Sequence, residues 1–256
     1  MSLDNAPAQT DAIAQLHAIA RLALGQLLSK HDDRVAAALD GLMAAAFAPQ
    51  RSAFDAALAR LIRDGVNRED IAIHYIPAIA RGLGQAWVDG HLPFTDVSVG
   101  CARLQGYLRQ TGLDWCDAKA AAAPAAGRVL LIVPAYEQHT LGATLLAGQL
   151  RAAGVDVCAL YRATDDEMRA ATTLGIYNAI LVSCARSETL ETLAHTIVKL
   201  RKFSTGTPVV LGGNVITQTP DAQTLSGADT TAHTWRDVLG IIQPETINRN
   251  ADPVGA

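Results

Sequence analysis

The chain has 256 residues, 50% of them hydrophobic, 18% charged and 5% aromatic, with a net charge of −4, which suits one or two well-packed globular domains. No block of Lys and Arg supplies the basic face of a DNA-binding protein, and no apolar run approaches the roughly 20 residues that cross a bilayer. The start "MSLDNAPAQTD" lacks the basic-then-apolar order of a signal peptide, so a soluble, cytoplasmic protein is expected, with no direct nucleic-acid or membrane partner.

The first half has helical periodicity. Ile13, Leu16, Ile19, Leu22, Leu24, Leu27 and Leu28 share a broad face behind a cap at Thr10 or Asp11, predicting a first helix. A second is predicted from Asp33 to Phe47, stopped by Pro49. A third is capped by Ser52, carries Phe54, Leu58, Leu61 and Ile62, and ends at Gly65. Asn67 and Asp70 resemble a capping box for a fourth, which reaches Trp87 with a kink expected at Pro77. A fifth should run from Thr95 to Trp115. These five make a helical bundle over residues 1–118. The Ala/Pro run "DAKAAAAPAAG" then reads as a linker, residues 119–127.

From residue 128 to 243 strands alternate with helices. Strands are predicted at Val129–Val133, Val155–Leu160, Ala179–Val182, Pro208–Leu211 and Thr230–His233. Helices are predicted at Thr140–Ala153, Asp165–Thr173, Glu188–Phe203, Thr219–Ser226 and Trp235–Ile242. The alternation implies a doubly wound, parallel five-stranded sheet, flavodoxin-like if strands one and three are neighbours. The tail, residues 244–256, is expected to be loose. Cys101, Cys116, Cys158 and Cys184 show no metal-like spacing and read as reduced, mostly buried thiols.

In such a sheet, ligands bind outside the carboxyl ends of the strands. Three ends carry small or polar residues: Glu137-x-His139-x-x-Gly142 after strand one, Ser183-Cys184-Ala185 after strand three, and Gly212-Gly213 after strand four. There is no GxxxxGK[ST] phosphate loop and no GxGxxG dinucleotide turn. Ser183 stands where a phospho-receiver would place an acid. A hydrolase built on Ser183, His139 and Glu137 would lack the GxSxG elbow.

The three motifs resemble the D-x-H-x-x-G, S-x-L and G-G pattern of the cobalamin-binding fold of methionine synthase and corrinoid carriers. Here 40 residues separate Gly142 from Ser183, and 26 separate Ala185 from Gly212, in keeping with that pattern. "SGADTTAHTWRDVL", with Thr231, resembles the family's segment near strand five. "IPAIARGLGQAWVDGHL" resembles the helical cap that lies over the corrin. Together with "EQHTLG" and Trp87, the chain looks most similar to the AerR/PpaA group, cobalamin-binding antirepressors of photosynthesis genes in purple bacteria.

That resemblance implies cobalamin as cofactor, with His139 as lower axial ligand to cobalt and Glu137 as the acceptor that orients its ring. It implies that Ser183 and Ala185, Gly212 and Gly213, and Thr231 line the path of the nucleotide tail. Tyr136 and Gln138 would also belong to the cofactor-binding loop, Gly142 would let it approach the corrin, and Trp87 would shield the upper face. Two departures stand out. Glu137 is one methylene longer than the family's Asp, and the W-x9-E-H of light-sensing repressors falls here on Val97 and Ser98. His91 is left as a candidate upper ligand. The implied function is a non-enzymatic, light-responsive regulator acting through a repressor of the CrtJ/PpsR type. The alternative is a corrinoid methyl carrier serving methyltransferases. Haem in the same pocket would also use His139.

Overall fold

Leucines and isoleucines at helical spacing organise the amino-terminal half. The computed structural model describes residues 33–112 and 126–243, and the chain divides into two units, Met1–Leu113 and Asp114–Ala256. The predicted first helix, most of the linker, Trp115, Cys116 and the tail lie outside the described residues. In the first unit, α1 is Asp33–Phe47 and α2 is Arg51–Arg63. Gln50, not Ser52, occupies the cap position of α2 and makes no side-chain bond there, because the helix starts directly after Pro49. Gly65, in the left-handed region, ends it as expected.

The next helix, α3, begins at Arg68–Asp70, widens into a π-helical stretch at Ile71–Tyr75 and continues as Ile76–Val88. Asn67 accepts a hydrogen bond from the Asp70 amide at 2.7 Å. No break occurs at Pro77. The Ile76 N–H reaches back five residues to Ile71 O, so Pro77 falls in the first turn of the α-segment, where its missing donor is tolerated. The last helix of the unit, α4, is Phe94–Tyr107, prolonged by a π-helical stretch at Leu108–Gly112. Leu42, Leu61, Ile79, Leu83 and Leu104 form its buried centre, each contributing about 1.5–3 kcal/mol by leaving water. Gly100 lets α3 and α4 close together, since a Cβ there would lie 2.6 Å from Leu83 Cδ1.

Arg103 of α4 ties this bundle by its guanidinium. Nη1 donates to the carbonyls of Ala45, Ala46 and Ala48, and Nη2 to that of Pro49, at 2.6–3.3 Å. Ala45 and Ala46 lie in the last turn of α1, where carbonyls run short of helical partners, and Ala48 and Pro49 follow directly after it. Arg103→Ala is therefore expected to destabilise the helical unit by about 1–3 kcal/mol. Urea unfolding followed by circular dichroism measures this; an unchanged curve would show that water satisfies the same carbonyls equally well.

The second unit is a parallel sheet ordered β2-β1-β3-β4-β5, the flavodoxin-like order. Its strands are β1 (Arg128–Pro134), β2 (Asp156–Ala163), β3 (Ala179–Ser183), β4 (Val209–Gly212) and β5 (Thr230–Thr231). Between them lie α5 (Leu141–Ala152), α6 (Asp165–Leu174), α7 (Leu190–Phe203), α8 (Val215–Gln218) and α9 (Ala222–Ser226), with α10 (Trp235–Ile242) last. Side chains alternate across the sheet as the strand period requires. Leu130 and Ile132 enter one core, while Val129, Leu131 and Val133 enter the other. Both faces are covered, which accounts for the unbroken apolar run of β1.

Three elements differ from expectation. β2 runs on to Ala163, with Arg162 bulged out at φ 57° opposite the Val133/Pro134 step. The helix expected at Thr219–Ser226 is shortened to Ala222–Ser226 behind Pro220, and a separate short helix, Val215–Gln218, precedes it. β5 keeps only Thr230 and Thr231, paired with Val210 and Leu211, since the Thr234–Asp237 capping box starts α10 close behind. Among the described cysteines Cys184 is buried, whereas Cys101 and Cys158 are half-buried.

Candidate functional site

The β1–β3 ladder pairs Val129–Ile132 with Ala179–Val182 and stops there. Beyond it both chains turn into loops at the switch point of the sheet, where a crevice is expected. The loop after β1 is organised by one buried carboxylate. Glu137 is 1% exposed, and its Oε1 accepts from the amides of Gln138 and His139 at 2.8 and 2.9 Å. The same oxygen lies 2.6 Å from His139 Nδ1. Oε2 accepts from the amide of Ala185, in the loop after β3, at 2.8 Å.

Burial alone would push the Glu137 carboxyl up. The N–H groups of Ala185 and His139, with the His139 ring, more than offset it, so the carboxyl titrates below its usual 4.5. An ionised carboxylate can only accept, so His139 Nδ1 carries the proton and donates. The lone pair is then on Nε2, and the imidazole is 60% exposed. The loop thus presents one basic nitrogen to the outside, with its tautomer set from behind.

The other predicted residues lie on the strand ends and loops of the same unit. Ser183 ends β3, half-buried and paired with Gly212 of β4. Gly213 has φ 96°, and a Cβ on it would overlap the carbonyl oxygen of Cys184. Gly212 faces Ala232 O, where a Cβ would be 3.3 Å away. Packing within the chain therefore demands glycine at 213 before any ligand is considered. Gly142 differs: it is exposed in the first turn of α5, and a Cβ there would meet nothing within 4 Å. Gln138 is exposed beside His139, and Thr231 is half-buried in β5.

Tyr136 does not turn outward. Thr196 Oγ1 donates to Thr192 O, so the phenol donates to Thr196 Oγ1, at 3.3 Å, and anchors the loop to α7. Burial pushes that phenol up to about 12. Two further residues support these loops, Cys184, expected only as a buried thiol, and Thr196, which the sequence did not single out. Cys184 is fully buried, its thiol pushed up by burial and 3.1 Å from Thr189 Oγ1. Thr196 is buried too, and its place between Leu193 and Leu200 on the inner face of α7 was the available signal.

In the helical unit Trp87 is 51% exposed and therefore no core residue. Its ring lies 6.0 Å from that of Phe94, tilted by 59°, and Val88 beside it is exposed as well. His91 follows α3, its amide bonded to Ala86 O.

Residues 127–239 match the B12 binding domain family. The fold agrees with the Methanosarcina barkeri monomethylamine corrinoid protein at a TM-score of 0.63, over 80% of this chain and 96% of that one, at 14% identity. The sheet unit is a B12-binding domain, and the protein binds cobalamin. It is 34% identical over 164 residues to the uncharacterized 20.5 kDa protein in the bchF-crtJ intergenic region of Rhodobacter capsulatus, covering 63% of this chain and 84% of that protein. The chain belongs to one family with that protein, and its residues 127–239 carry the B12 binding domain.

The residues fit the cofactor. A single protein nitrogen suits a metal whose equatorial positions are filled by a macrocycle, and the carboxylate behind the imidazole is the usual partner of a ligating histidine. Among the described residues, no helix is long and apolar enough to cross a membrane.

Proposed function

We propose that the protein is a cobalamin-dependent regulator that works without catalysing a reaction, by changing the grip of a partner repressor of the CrtJ/PpsR type on its promoters. The observation that carries this reading is the kinship with the protein of the bchF-crtJ region. The net charge of −4 agrees with it, since a regulator lacking a basic face needs a protein partner to act on DNA. In this reading His139 holds cobalt through Nε2 and Glu137 orients the ring. Ser183 meets the nucleotide base, Gly212, Gly213 and Thr231 border its path, and Gly142 admits the corrin. Trp87 is exposed on the helical unit. Cobalamin supplies a cobalt whose upper ligand can change, for instance by photolysis. The protein converts that change into a signal only where its two states bind the cofactor, or the repressor, unequally.

Promoter binding by a purified CrtJ/PpsR-type repressor, measured with added protein in the presence and absence of hydroxocobalamin, tests the proposal. The expected result is a complex with the repressor and a cofactor-dependent change in DNA occupancy. If occupancy is unaffected, while a corrinoid methyltransferase methylates the bound cobalt and turns over, the protein is a methyl carrier instead.

A further inference from the structure

The carboxylate of Glu137 serves two loops at once. Oε1 gathers three N–H groups of its own loop, from Gln138, His139 and the His139 ring, while Oε2 reaches 48 residues along the chain to the Ala185 amide. The loop that it reaches is already tied on its far side. The Cys184 amide donates to Gly212 O, and the Val215 amide donates to Cys184 O. Since the β1–β3 ladder has ended at Val182, the carboxylate carries the connection on the near side. Ser183 lies two residues before the clasped amide.

We propose that Glu137 is a positioning residue that also acts through Ala185 to set the loop after β3, and thereby the protein's preference for corrinoids that carry a nucleotide tail. The axial contact made by His139 and the tail contact made by the Ser183 loop are then coupled by one side chain. This rests on the cobalamin site as assigned above. Length is what the clasp requires. Aspartate is shorter by one carbon–carbon bond, about 1.5 Å. An aspartate favours hydrogen bonds to amides just ahead of it in the chain, so it would keep the His139 side and release Ala185.

Glu137→Asp is therefore the informative substitution, read with hydroxocobalamin and with cobinamide, which has no nucleotide tail. Wild-type protein is expected to bind cobalamin more tightly than cobinamide. In Glu137→Asp, cobinamide affinity should stay within about threefold and cobalamin affinity should fall about 10–100-fold, the usual range for an outer-shell partner. The histidine-ligated visible spectrum should persist. Without any cofactor, hydrogen exchange at the Ala185 amide should accelerate. Glu137→Gln provides a second test should the aspartate variant misfold. Its single oxygen is drawn to the three N–H groups beside His139, which turns its NH2 toward the Ala185 N–H and opens the same link. Equal losses for both corrinoids, or an unchanged Ala185 exchange rate, would reduce Glu137 to the histidine's partner and overturn the proposal. So would a wild-type protein indifferent to the tail. No repressor enters this assay, so failure of the regulatory reading would leave its outcome intact.

Discussion

His139→Ala is expected to abolish tight cobalamin binding while leaving the fold in place. The imidazole is 60% exposed and its deletion empties no core, so stability should change by no more than about 1 kcal/mol. Glu137 keeps the amides of Gln138, His139 and Ala185, so its buried charge stays satisfied. In the proposed site, cobalt would lose the nitrogen that this loop presents. Removing an outer-shell partner typically costs 10–100-fold in metal affinity, and removing the ligand itself should cost more than about 100-fold. Any cofactor still held at high concentration should show the spectrum of cobalamin without a nitrogen ligand below cobalt. Free imidazole should restore the ligated spectrum in part, because the site around the missing ring is unchanged. Retained affinity with an unaltered spectrum would assign the axial position to another group.

How much of this could be read from the sequence varies with the range of the forces involved. The strands of the sheet announce themselves because burial on both faces leaves a continuous apolar run, as in Val129–Val133. The Glu137–His139 and Ser183 motifs drew notice because apolar strands seldom end on such polar residues, whereas Gly213 has a packing reason of its own. The clasp from Glu137 to Ala185 was not legible. Its partner is a backbone amide, which carries no residue identity, and it depends on which strands are neighbours. Glu137 itself could be paired with His139 from spacing, yet its near-complete burial follows only from the loops that close over it. The bond from Tyr136 to a threonine on α7 was hidden for the same reason. At Pro77 the sequence marked the place of the irregularity but not its form, since the π-helical stretch just before it leaves no mark in the sequence. The role of Trp87 turned on exposure, which periodicity alone left open between core and surface.

Gly213 and Gly142 separate the demands of folding from those of binding. Gly213→Ala is expected to destabilise the sheet unit severely. At φ 96° an L-residue is strained by roughly 1–2 kcal/mol. Its Cβ would also collide with backbone, overlapping Cys184 O and lying 3.0 Å from Cys184 N, which cannot rotate aside as a side chain could. Overpacking of that kind adds about 1–3 kcal/mol, for a total of roughly 2–5 kcal/mol against the 5–15 kcal/mol that holds a typical domain. The loops after β3 and β4 would separate, so cobalamin binding would fall as a consequence of lost structure. Gly142→Ala should behave in the opposite way. No atom of the chain lies within 4 Å of the added methyl, and alanine favours a helix over glycine by about 0.5–1 kcal/mol. That variant should be as stable as wild type or slightly more so, yet bind cobalamin more weakly, because the methyl would occupy space needed by the corrin. Urea unfolding of both proteins without cofactor, followed by titration with hydroxocobalamin, distinguishes the two. A Gly142→Ala protein with wild-type affinity would show that the corrin does not approach this turn, and the cofactor would then have to lie farther from α5 than the motif implies.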